Sequence, residues 1–293
     1  MELRVLRYFM KVAREESVSR AAQSLHISQP TLSRQLKDLE AELGQKLFIR
    51  NNYGVTLTEE GLLLRQRAED ILEMADKTLA EFKSLDGIHG GDIYIGCAES
   101  NGIAPFIRVI QSLQVKYPHI RYHFYSSGTE SVNERLDRGL LDLAIIVQEV
   151  DLSKYNYLKI PNYDRWGVIM RKDSPLAQHA YIHLTDLIDM PLILSRQAMA
   201  EEMPKWFGEM QDKLHVVATY DLLFNTSVMV REHLGYALGF EGLVNTGVDS
   251  DLCFRPLEPV LESPMYIIWK KYQVFSPIAS LVLKELKKCF DPL

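Results

Sequence analysis

Cysteine is scarce in this chain of 293 residues, and what there is does not group. Cys97, Cys253 and Cys289 are odd in number, far apart and without metal-ligand spacing. That pattern excludes a disulfide framework and points to reduced thiols in a cytoplasmic protein. No apolar run approaches the ~20 residues a membrane helix needs, so no membrane partner is expected. The opening stretch, MELRVLRYFMKVAREE, carries charges throughout and does not resemble a secretory signal. P-loop, HExxH, GxSxG and paired CxxC motifs are all missing. His179 and His183 lie four apart, but no acidic partner is spaced as a zinc site needs. Neither an enzyme nor a metal or cofactor is expected on these grounds.

Positive charge is also in short supply, with a net charge of −6, which at first argues against a nucleic-acid partner. Its distribution reverses that argument. Residues 1–58 hold nine Lys/Arg against six Asp/Glu, residues 59–86 four against eight, and residues 87–293 twenty against twenty-five. Only the N-terminal stretch is positive, which is where a footprint for phosphates would have to lie. A chain of this length suits two or three domains.

Within the positive stretch, Ser19 is expected to cap a short helix over Arg20–Leu25, which His26 and Ile27 end. Ser28 is a second cap candidate, with Pro30 in the first turn that follows, where a missing N–H costs nothing. Leu32, Leu36, Leu39 and Leu43 then recur at spacings of four, three and four, one apolar stripe on a helix. Short helix, tight turn and longer helix make a helix-turn-helix. Gln29, Thr31, Ser33, Arg34 and Gln35 are left outside the stripe, polar and free of negative charge, the chemistry of a helix that reads a major groove. A preceding helix over residues 3–14 carries Leu3, Leu6, Phe9, Met10 and Ala13 on one face, with Arg4 and Arg7 off it. After Gly44, KLFIR, NNYG and VTLT read as strand, turn and strand, a wing whose Arg50 can reach a phosphate or the minor groove.

Thr58 caps the next predicted helix, with Glu59 and Glu60 set against its positive end. Leu64, Ala68, Ile71, Ala75, Leu79, Phe82 and Leu85 form a near-heptad seam, expected to be covered by a second copy of the chain. Gly87, Gly90 and Gly91 mark a hinge. Beyond it IYIGCAES, a helix over 103–116, RYHFYSSG, a helix over 130–138 and DLAIIV alternate as βαβαβ, implying a parallel sheet. A second set runs through WGVIMRKDSPL, MPLILS, a helix over 200–207, VVATY, a helix from Asn225 to Leu234 and YALGF, before MYIIWKK and a final basic helix. Two α/β lobes make a cleft for a small ligand. The domains are placed at 1–58, 59–86 and 87–293, with one lobe at 91–161 and 266–293 and the other at 162–265.

With these residues in place the chain resembles the LysR-type transcriptional regulators over essentially its whole length. LRYFxxVA, RAAQSLHISQPTLSRQLKDLEAELGQKLFIR and LTEEG carry the N-terminal likeness. KYPHIRYHFYSSGT, LDRGLLDLAII and DSPLA carry a looser one beyond it. The resemblance implies a winged helix-turn-helix, a dimerising linker helix and a two-lobed effector domain like a periplasmic binding protein. Its chain would cross between lobes near Ile160–Asp164 and Glu262–Tyr266. It also implies a bacterial, cytoplasmic, nucleoid-associated dimer of dimers on double-stranded promoter DNA, with access of RNA polymerase altered by an effector. Gln29, Pro30, Ser33 and Arg34 match the family's base- and phosphate-contacting positions. One departure concerns the wing tip, where Asn51, Asn52 and Tyr53 replace the basic residue of many relatives and put minor-groove insertion in doubt.

Effector-binding candidates are the polar residues at strand ends and helix starts: Ser100, Asn101, Thr129 and Gln148 in the first lobe, Ser195, Asn225 and Thr226 in the second. Free N–H groups there favour an anion, so a small anionic or zwitterionic metabolite is expected. The resemblance favours Ser100, Thr129 and Thr226 among them. The same residue types also serve as plain N-caps. A secreted solute-binding protein would share the two lobes but not the helix-turn-helix. Cysteine redox sensing would need a resolving partner that Cys253 lacks.

Overall fold

A computed structural model describes residues 1–51, 54–83, 90–147, 151 and 153–290. The chain forms two compact units, Met1–Phe82 and Lys83–Leu293.

The first unit is built from α1 (Leu3–Glu15), α2 (Val18–Ser24), α3 (Gln29–Leu43), β1 (Phe48–Asn51), β2 (Gly54–Leu57) and α4 (Glu59–Lys83). Leu6, Phe9, Val12, Ala21, Leu32, Leu36 and Leu39 pack into one core, so the predicted stripes of α1 and α3 do face each other. Leu43 is the exception on the α3 stripe, being exposed. The cap of α2 is Ser17, not Ser19: the Ser17 hydroxyl accepts from the Arg20 N–H, and the helix begins two residues before the expected start. Ser28 caps α3 as expected, accepting from the Thr31 N–H. The hairpin is tied back to α1, because the Val55 N–H donates to the Glu16 carbonyl (3.0 Å). Gly54 is required there: its φ is +151°, and a Cβ would come within 2.5 Å of that same carbonyl oxygen.

The seam expected along α4 divides. Leu64 and Ala68, joined by Leu72 from outside the predicted seam, pack on the core of their own unit, whereas Ile71, Leu79 and Phe82 are exposed. A partner is therefore not needed to cover the first half, because α1 and its neighbours do so. Arg7 joins this packing through a two-point ion pair with Asp76 (2.6 and 3.2 Å), so its charge is already engaged. Leu85 and Gly87 lie outside the described residues.

The second unit contains β3 (Gly91–Cys97), α5 (Ala104–Lys116), β4 (Ile120–Ser126), α6 (Thr129–Asp137), β5 (Leu143–Ile146), β6 (Tyr155–Arg171) and β7 (Ile182–His183). It continues with β8 (Leu192–Ser195), α7 (Arg196–Phe207), β9 (Val216–Tyr220), α8 (Leu223–Arg231), β10 (Tyr236–Phe240), β11 (Leu252–Glu258), β12 (Glu262–Lys270) and α9 (Pro277–Phe290). Strand order runs β4-β3-β5-β12-β6-β10-β8-β9, with β11 also on β6. Parallel pairing of β3 with β4 and β5 follows from the βαβαβ pattern. The long strand β6 passes from one lobe to the other. Its Tyr155–Ile160 half pairs with β12, and its Trp166–Arg171 half with β10 and β11. The ladder with β12 shifts register between Pro264 and Met265, opposite Ile160 and Tyr163. Each lobe has its own apolar core, one centred on Ile93, Ile95, Phe106 and Ile267, the other on Val168, Leu192, Leu194 and Leu238.

Candidate nucleic-acid interface and ligand cleft

On α3 the buried leucines fix which residues look outward. Leu32, Leu36 and Leu39 are at most 3% exposed, which leaves Gln29, Pro30, Thr31 and Arg34 in solvent and Ser33 and Gln35 half-buried. Gln29 Nε2 donates to Ser33 Oγ (3.2 Å), and the Thr31 hydroxyl shares a hydrogen bond with Ser28 (2.7 Å). Both are local bonds that a base edge can replace. Arg34 sits 3.9 Å from Asp38 with both side chains largely exposed, a spacing that leaves the guanidinium free to swing. No carboxylate lies between Ser28 and Gln35. The side chains of Arg50 and Asn51, together with Asn52 and Tyr53, lie outside the described residues.

In the second unit a cleft cavity of about 60 Å³ lies beyond the carboxyl ends of the strands of both lobes. Ala98, Glu99, Ser127, Gly128 and Val147 line it from the first lobe. From the second come Trp166, Ser195, Gln197, Glu202, Tyr220, Asp221, Leu223 and Phe240, among others. Of the predicted residues only Ser195 is on this wall, and Gln148 lies outside the described residues.

The others are used differently. Ser100 is buried and donates to Asp164 Oδ2 (2.5 Å) while accepting from the Gly102 N–H (2.8 Å). Burial pushes the Asp164 carboxyl above the usual carboxylate range, against the lowering effect of Ser100 and the Gly102 N–H. Asn101 Nδ2 reaches across to the Gly242 carbonyl (2.8 Å). Thr129 is 1% exposed with its hydroxyl unpartnered, and its N–H donates to Gln197 Oε1 (3.0 Å). Asn225 does not begin a helix: α8 starts at Leu223, leaving Asn225 exposed in its first turn. Thr226 is fully buried, its hydroxyl against the Leu222 carbonyl (3.5 Å).

Glu99 is the residue the sequence reading missed. Its carboxylate accepts from the Leu223 N–H (2.7 Å), so a side chain of one lobe caps a helix of the other. Gln197 does the reverse at α6. The helix starts expected to hold an anion therefore already carry the chain's own oxygens, and no lysine or arginine lines the cavity among the described residues. Arg196, adjacent in sequence, is not on the lining but pairs with Asp221, which is. Tyr220 donates its hydroxyl to the Leu238 carbonyl (2.6 Å), and burial together with the charge of Glu99 holds its phenol well above the ordinary range. The Cys97 thiol is pushed up mainly by burial and further by Glu99, and burial raises Cys253 as well, so neither is a reactive thiolate.

Comparison with known proteins adds to this geometry. Residues 3–62 match the model of the bacterial regulatory helix-turn-helix protein, lysR family, and residues 87–290 that of the LysR substrate binding domain. YvbU, an HTH-type transcriptional regulator of Bacillus subtilis, is 27% identical over 99% of both chains. The Hca operon transcriptional activator HcaR of Escherichia coli is 28% identical over 92% of both. Among solved structures, full-length CbnR complexed with its target DNA superimposes with a TM-score of 0.75 over 99% of this chain and 100% of that one. At 19% identity that likeness carries the fold alone. Full-length BenM gives a TM-score of 0.54 at 25% identity, over 99% and 96% of the two chains.

Proposed function

We propose, from the fact that this chain belongs to the LysR family of transcriptional regulators, that it reads a promoter through α3 and senses a small molecule in the cleft of its second unit. The family and the relatives are transcriptional regulators, not enzymes. The observation that carries the promoter reading is the outward face of α3. Gln29, Pro30, Thr31 and Arg34 stand in solvent on a helix anchored by three buried leucines, with no carboxylate between Ser28 and Gln35 and a largely exposed 3.9 Å pairing of Arg34 with Asp38. In this reading Gln29 pairs with adenine N6/N7, Pro30 packs on a thymine methyl, and Arg34 takes guanine or a phosphate. Ser33, Thr31, Gln35 and Arg50 add phosphate or base contacts.

The active form is a dimer through α4, assembling further to a tetramer on DNA in the bacterial cytoplasm. Support comes from the exposed Ile71, Leu79 and Phe82 along one helix. Effector binding changes how the two lobes are held, and through that the DNA-binding halves and access of RNA polymerase. The division of labour follows residues 1–58, 59–86 and 87–293.

The test is a footprinting titration of the purified protein on its own upstream region at several salt concentrations. A dyad-symmetric protected site that weakens steeply with salt is expected. Absence of any protection at low salt would overturn the reading.

A further inference from the structure

We infer that the cleft takes a ligand carrying a protonated amine or guanidinium group; this rests on the cleft being the effector site. The wall of the cavity is rich in acceptors and has few donors to spare. Three helices start at its edge, and at each of them one first-turn N–H is occupied by a side-chain oxygen. The Leu223 N–H goes to Glu99, the Thr129 N–H to Gln197, and the Ala198 N–H to Ser195 Oγ (3.4 Å). The aromatic donors are turned away as well: Trp166 Nε1 donates to Ser263 Oγ (2.8 Å) and the Tyr220 hydroxyl to the Leu238 carbonyl. A carboxylate entering here would meet Glu99 and Glu202 with no lysine or arginine on the described wall to balance them; Asp221 is already paired with Arg196.

A cation meets the opposite situation. Glu99 and Glu202 supply negative charge from the two lobes, and Trp166 and Phe240 stand together with ring centroids 4.4 Å apart. Carboxylates beside aromatic faces are the usual receptor for a cationic head. The field of Glu99 is felt across the cavity, since it contributes to holding both the Tyr220 phenol and the Cys97 thiol protonated. One water needs roughly 10–15 Å³ of such space, so about 60 Å³ admits a head group of a few heavy atoms. Because Glu99 also joins the lobes at Leu223, a cation drawn to it acts on the contact that holds them together.

The test is calorimetric titration of the full-length protein with n-butylamine and n-butylguanidine, against butyrate at the same ionic strength. Saturable binding of at least one of the two cations is expected, with none for butyrate. Glu99→Gln, which keeps an acceptor for Leu223, and Glu202→Gln should each weaken it at least tenfold. Glu209→Gln, an exposed carboxylate elsewhere on the second lobe, should leave it unchanged. Thermal melts of each variant check that the fold is intact. Binding of butyrate alone, no cation binding, or cation binding that survives both cleft substitutions would overturn the inference. Footprinting of the same preparation separates the two readings. A protected promoter without amine binding sinks only this inference, whereas loss of protection sinks the regulator reading while the titration still judges the cavity.

Discussion

Gln29 is held by a single 3.2 Å bond to Ser33, so turning it toward a base costs one local hydrogen bond and no packing. Replacing it with alanine should cost ~1–3 kcal/mol of binding, concentrated at one base position of the site. Binding measured against operators varied one base pair at a time checks this; a uniform loss would reassign Gln29 to the backbone. Elsewhere, Asp92 illustrates a charge that serves the fold. Burial opposes its ionised form, but hydrogen bonds from Arg121 (2.8 Å) and His123 (2.6 Å) outweigh that and hold its carboxyl below the usual range. A carboxylate depressed in the folded state stabilises it fully above the unfolded value, ~3.9, and that contribution declines below it and is lost as pH falls through the depressed folded value. Denaturant melts from pH 7 down to pH 3 should show a shallower acid decline in Asp92→Asn than in the parent.

Among the elements, α4 depends on both ends of its sequence. At its start the Thr58 hydroxyl accepts from the Gly61 N–H (2.9 Å) and donates to the Lys46 carbonyl (2.7 Å), joining helix to hairpin. Thr58→Ala should lower the stability of the first unit by ~1–2 kcal/mol, read from the chemical melt. Toward its end, Leu79 is 57% and Phe82 68% exposed, so neither holds its own unit together. The double substitution Leu79→Glu, Phe82→Glu should leave the melt in place and move the sedimentation coefficient toward the monomer. An unchanged coefficient would remove α4 as the dimer contact. The periodicity of α4 was plain in the sequence, but which turns face inward was not. That division depends on Ala68 and Leu72 joining the core that also holds Leu6 and Phe9, which only the folded unit places together.

At the scale of the molecule, positive charge in residues 1–58 has to work against a chain that is acidic overall. Affinity for DNA should therefore fall steeply with salt, with log K against log salt sloping by about −0.9 for each phosphate neutralised. If Arg34 contacts a phosphate, Arg34→Ala should flatten that slope by about one per contact, measured by fluorescence anisotropy at several salt concentrations. The second unit is held across its cleft by Glu99 to Leu223, Gln197 to Thr129 and Asn101 to Gly242. Each uses a side chain of one lobe to satisfy the backbone of the other, so opening the cleft exposes unpaired N–H and C=O groups as well as surface.

By itself the sequence determined the helix-turn-helix, the wing, the long helix and the parallel βαβαβ order. Those features rest on local signals: leucines at helical spacing, Ser28 before Pro30, Thr58 before two glutamates, apolar strands between polar helices. The site in the cleft was decided by tertiary structure. Helix α8 starts at Leu223 because Glu99, 124 residues away, supplies its cap, and α6 is met at Thr129 by Gln197, 68 residues away. A reading that looks for caps next to the helices they serve passes over both. It picked Ser100 and Thr226, which the fold spends on Asp164 and on a helix carbonyl. Burial and long-range hydrogen bonding choose which polar groups face a ligand, and neither has a period that a linear sequence can display.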